Sequence, residues 1–147
     1  MKYIIGIFFF CTACVSDGSS SIVSNPYHVS SLLADFNSNK LTNGQLVSVY
    51  GYLTFGDDKH NLWESEKDYK YILDMRPNIS DPVWKRCISL DSYGPFRSNL
   101  LKNDGKNSVI SGYISRRIPN DDEINLGSCS DVSISLEGQG TSVVSAR

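Results

Sequence analysis

Two segments of this chain carry the same pattern: Val49-Tyr50-Gly51-Tyr52-Leu53 and Ile110-Ser111-Gly112-Tyr113-Ile114, each apolar-x-Gly-Tyr-apolar within a run of β-forming residues. A glycine inside a strong strand sacrifices packing and backbone entropy, so it marks a bulge or a sharp bend. Small closed barrels need such bends, because a strand long enough to join two sheets must coil strongly. Two glycine-bent strands, far apart in sequence with shorter strands between them, suit a five-stranded Greek-key barrel.

The flanking segments fill in that outline. Residues 46–55 are rich in β-branched and aromatic side chains and put Val47, Val49, Gly51 and Leu53 on one face. Asp57-Asp58-Lys59 makes a charged turn, and residues 60–63 return as a strand. Residues 69–75 alternate Tyr69, Tyr71, Leu73, Met75 and predict a short strand; residues 83–90 and 107–116 predict two more. Residues 129–137 alternate with Val132, Ile134 and Leu136 inward. Ahead of the strands, Asn25-Pro26 predicts a helix start, followed by one apolar stripe of Val29, Leu32, Leu33 and Phe36. Residues 138–147, rich in Gly, Ser and Thr, are expected to fray.

The N-terminus reads as an address. Lys2 precedes an apolar run over residues 3–10, then Thr12-Ala13 and Cys14. This is the n-region, h-region and small-residue exit of a secretory signal, and it is far short of the roughly 20 residues that span a bilayer. Cys14 after the small pair resembles the lipobox of bacterial lipoproteins, with Cys11 where leucine is usual; that resemblance implies acylation of Cys14 as the mature N-terminus. Residues 1–13 are then a signal peptide and 14–24 a lipidated polar tether. Val15 is not the aspartate that often retains such proteins in an inner membrane. In a Gram-negative cell the expectation is therefore the outer membrane, facing the periplasm.

Without residues 1–13, which carry one cation, Lys2, 13 Lys+Arg face 16 Asp+Glu, a formal −3. This balance argues against nucleic acid as a partner. Cys87 and Cys129 remain, an even number for an oxidising compartment, and a disulfide is expected; the alternative is two reduced, buried thiols. No CxxC or Cys/His spacing points to a metal, and no cofactor motif occurs.

The two glycine strands are spaced like the first and fourth strands of an OB-fold. Leu32-Leu33, the Val-x-Gly-Tyr-Leu strand end at residues 49–53, Asp57-Asp58 and Leu62-Trp63 together resemble a loose group of uncharacterised bacterial OB-like proteins. The resemblance covers roughly residues 27–137, rests on short structural motifs and transfers no catalytic residue. The expected fold is mainly β: a small OB-like Greek-key barrel of about five strands over residues 25–137, with one N-terminal amphipathic helix.

No nucleophile elbow, phosphate loop or H-E-x-x-H occurs, and Asp57-Asp58 and Asp121-Asp122-Glu123 lack calcium-loop alternation, so no enzyme is expected. The aromatic residues Tyr50, Tyr52, Trp63, Tyr69 and Tyr71 form the candidate binding face, with Lys85, Arg86, Arg97, Arg116 and Arg117 as basic flanks. Their alternative role is to cover the barrel against the N-terminal helix. The functional expectation is a lipid-anchored, non-catalytic module that binds a protein or an envelope component. Its sharper form is an immunity or inhibitor protein against a toxin or wall hydrolase. The rival is an OB-type oligonucleotide or oligosaccharide binder.

Overall fold

The computed structural model describes residues 25–78, 80–117 and 129–146; the leader, Cys14, the tether and the run Asp121-Asp122-Glu123 lie outside the described residues. Its elements in chain order are β1 (Tyr27–His28), α1 (Val29–Asn37), β2 (Gln45–Gly56), β3 (Lys59–Trp63), α2 (Glu66–Met75), β4 (Cys87–Asp91), α3 (Arg97–Lys102), β5 (Lys106–Arg116), β6 (Val132–Ser135) and β7 (Ser142–Ser145), with 3-10 turns at Pro82–Arg86 and Gly94–Phe96.

Strands β2, β3, β4, β6 and β5 pair in that order, and β2 pairs with β5 to close the ring. Only the β4–β6 pairing within the ring is parallel. The protein is thus mainly β, a closed five-stranded OB-like barrel.

The repeated glycines explain the closure. β2 pairs with β5 along residues Gln45 to Leu53, and with β3 from Tyr52 onward. β5 pairs with β2 up to Ile114, and with β6 from Tyr113 onward. Gly51 and Gly112 therefore sit where each long strand takes up its second partner. A Cβ on Gly51 would lie 2.5 Å from the Trp63 carbonyl oxygen, and one on Gly112 2.5 Å from the Ser135 carbonyl oxygen. Only glycine lets the neighbouring backbone approach so closely.

Inside the barrel Val49, Leu53, Leu62, Ile88, Ile110, Ile114, Val132 and Ile134 are fully buried. Each such side chain stabilises by about 1.5–3 kcal/mol relative to exposure. The expected inward faces of residues 46–55 and 129–137 are those observed. The expected stripe of α1 is also buried, in the same core. At the Arg116 end of the barrel, Arg116 lies 5.2 Å over the Phe36 ring of α1 and bonds Asn37. At the other end, α3 inserts Leu100, and Asp104 accepts the Phe55 N–H at 2.8 Å.

Four expectations are corrected. α1 begins at Val29, not beside Asn25-Pro26, because Tyr27 and His28 pair with Val49 and Tyr50; the orphan Ser30 N–H is taken by the distant Glu64 carboxylate at 2.6 Å. Residues 69–75 are helical: Ser65 caps the Asp68 N–H and donates to its carboxylate, and Glu66 pairs with Lys70 at 2.7 Å one turn on. Residues 83–90 become a strand only from Cys87, since Asp81 and Pro82 start a 3-10 turn first. Residues 142–145 do not fray but pair with β5.

β1 and β7 have matching places. β1 takes the edge of β2 at Val49–Tyr50, just before β3 takes over, and β7 takes the edge of β5 at Ser108–Ser111, just before β6 does. Each fills the edge left unpaired by a strand that changes partner.

Candidate functional site

Alternation along β2 sends Tyr50 and Tyr52 outward, opposite Val49 and Leu53. In register with Tyr52 lie Trp63 on β3 and, beyond it, Cys87 on β4. The Cys87–Cys129 disulfide is present, with Cα atoms 5.0 Å apart and a sequence separation of 42. This row becomes a second, smaller core on the outer wall: Trp63, Cys87 and Cys129 are buried, with Tyr52, Tyr69, Ile72 and Trp84 packed around them.

The cover is α2. It follows β3 after two residues and lays Tyr69 and Ile72 over that row. The Tyr69 ring centre is 5.6 Å from that of Trp63 and 5.9 Å from that of Tyr52, and Trp84 closes the other side at 6.1 Å from Trp63. The Trp63 indole N–H is satisfied by Thr54 Oγ1 at 3.0 Å. Burial, followed by the nearby Glu66 carboxylate, raises the Tyr52 phenol above the ordinary tyrosine range and keeps it neutral. Lys59 lies 5.6 Å over the Tyr69 ring.

The five expected face residues are thus separated. Trp63 is buried and Tyr52 and Tyr69 are half-buried, all three in the outer core. Tyr50 lies one row away, edge-on to His28 of β1 with ring centres 5.3 Å apart. Tyr71 is exposed on α2, its hydroxyl donating to Asp81 at 3.3 Å. The covering helix is α2 rather than α1.

Of the basic side chains expected to flank this face, Arg86 and Arg116 are engaged elsewhere. Arg86 bonds Asp68 at 3.1 Å, and Arg116 pairs with Asp131 and Asn37. Arg97 begins α3 at the far mouth. Asp57 and Asp58 are exposed in the β2–β3 turn. A cleft of about 250 Å³ between α2 and the Pro82–Arg86 turn is lined by Lys67, Asp68, Tyr71, Asp81 and Arg86. There Asp68 belongs to the α2 cap, and Asp81 accepts the Val83 N–H at 2.9 Å.

What sequence reasoning missed is α2 itself. All of residues 69–75 except Lys70 and Asp74 are apolar or aromatic, yet no residue of the helix is fully buried. Tyr71, Leu73 and Met75 are 41%, 52% and 65% exposed. At 100° per residue, Tyr69 and Ile72 face the barrel, Leu73 and Met75 flank them on either side, and Tyr71 points outward. The signal was the Ser65-x-x-Asp68 cap followed by that apolar cluster.

No known protein family, no curated protein and no solved structure matches the chain.

Proposed function

We propose that the protein is a lipid-anchored, periplasm-facing module of the bacterial cell envelope that binds a protein partner through α2 and performs no catalysis itself. The observation that carries this reading is the apolar surplus of α2. Half of α2 is charged, as suits an exposed helix, yet its second half also shows Tyr71, Leu73 and Met75 to solvent, large apolar side chains that a covering partner would bury. The outer core beneath gives α2 a firm seat, and the disulfide within that core ties the Cys129 segment to β4. Such an arrangement favours a protein partner over a nucleic acid or glycan, because the aromatic row that would stack bases or sugars is already covered. The leader and Cys14 supply the address, and the disulfide fits an oxidising compartment.

The test is in-cell crosslinking of the full-length protein, followed by capture and mass spectrometry. Wild type should yield one dominant partner, and Leu73→Glu or Met75→Glu should reduce its recovery at least tenfold with the thermal midpoint unchanged. Equal recovery from the variants would overturn the assignment of α2. Cys14→Ser should release the protein from the membrane fraction; continued membrane association would overturn the anchor.

A further inference from the structure

The sheet that wraps the barrel ends at β7. Among the described residues β7 pairs with β5 on one side and with no strand on the other. The register decides which of its backbone groups are free. Ala146 N–H donates to the Asn107 carbonyl at 2.9 Å, and the pairing continues through Val144 opposite Val109 and Ser142 opposite Ser111. Antiparallel pairs alternate between hydrogen-bonded and non-hydrogen-bonded, so Val144 and Ser142 spend their backbone groups on β5. Val143 and Ser145 point their N–H and C=O groups away from the sheet.

Exposed edges are usually blunted by charge, proline, a bulge or shortness of the strand, and of these β7 has only its four-residue length. Residues 138–146, Gly-Gln-Gly-Thr-Ser-Val-Val-Ser-Ala, contain no charge and no proline. Val144 is 56% exposed.

We propose that this edge pairs with the β7 edge of a second copy of the chain, antiparallel about a twofold axis through Val144. In that register Val143 of each copy exchanges backbone hydrogen bonds with Ser145 of the other. The Val144 side chains then meet across a non-hydrogen-bonded pair, where cross-strand side chains approach most closely. Register selects this occupant: the outward groups of Val143 and Ser145 are matched by the same two residues of a second copy, and residues 138–146, lying between Glu137 and Arg147, bring no like charges together. The axis falls on Val144 rather than Val143 because Val143 packs toward the barrel core while Val144 is exposed. The paired edges join β1, β2, β5 and β7 of both copies into one continuous sheet. An interface built on one short strand is small, so the dimer should depend on concentration. This inference is independent of α2 and of the anchor.

The test uses the full-length chain in two ways. In sedimentation velocity, wild type should move from monomer to dimer as concentration rises, and Val144→Lys should stay monomeric at a concentration at least tenfold higher. On mild oxidation, Val144→Cys should give a disulfide-linked dimer at least tenfold faster than Ser142→Cys, which lies off the axis. This comparison stands even if the lysine variant folds poorly. A wild-type chain that is monomeric at every concentration, equal crosslinking at both positions, or a dimer that Leu73→Glu breaks and Val144→Lys does not would each overturn the proposal.

Discussion

The barrel interior and the layer outside its β3–β4 wall are both apolar, but they are built on different terms. The interior is made mostly of aliphatic side chains from every barrel strand, with Phe55 and the Phe36 ring of α1 among them, sealed by α1 and α3 and fixed in shape by Gly51 and Gly112. The outer layer is made of aromatic rings and one disulfide, gathered from β2, β3, α2 and the segments around Cys87 and Cys129. Most of the interior residues are inaccessible, whereas the residues around the outer layer are partly exposed and its covering helix has no fully buried residue. The interior holds the fold together, and the outer layer presents a surface.

Separate substitutions in each region test that division. Replacing both Cys87 and Cys129 with serine releases a 42-residue separation and should lower unfolding free energy by about 4 kcal/mol on the chain-entropy account, read from denaturant midpoints. Leu53→Ala in the interior should lower it by about 3 kcal/mol in one cooperative transition. Gly112→Ala should lower it by about 1–3 kcal/mol, because the clash is with the Ser135 backbone and no rotamer relieves it. Tyr69→Ala, in the outer layer, should lower it by about 1–2 kcal/mol and shift the near-ultraviolet dichroism of the Trp63–Tyr69 cluster, leaving the barrel's far-ultraviolet spectrum intact. Glu64→Gln, which weakens the cap on α1, should cost about 0.5–1 kcal/mol in the same assay. If Tyr69→Ala proved as costly as Leu53→Ala, the two regions would form a single core.

These regions also differed in how far they could be read from sequence. The barrel was legible because local and global demands coincide at the same residues. β-branched alternation sets the inward faces of β2, β5 and β6, and the two glycines mark where the long strands change partner. The outer layer was not, because it depends on which element lies over an outward row. Tyr50 and Tyr52 share a face of β2, yet only the Tyr52 row continues through Trp63 to Cys87 under α2. Alternation over residues 69–75 matches a strand as well as a helix, and the Ser65–Asp68 cap is what selects the helix. β7 has only Ser and Val in its four residues; it is ordered by the edge that β5 leaves free, a tertiary effect absent from local pattern. The start of α1 was misplaced for a similar reason, since Glu64 supplies its cap from a distant strand end.

The α2 layer is a separately held surface on a self-sufficient barrel. Amide hydrogen exchange on the full-length protein, with the disulfide intact and then reduced, tests it most directly. Reduction should cost residues Glu66–Met75 most of their protection while β2 and β5 exchange slowly, as before. Loss of protection at the same rate in α2, β2 and β5 would contradict it, and would mean that the disulfide holds one undivided core.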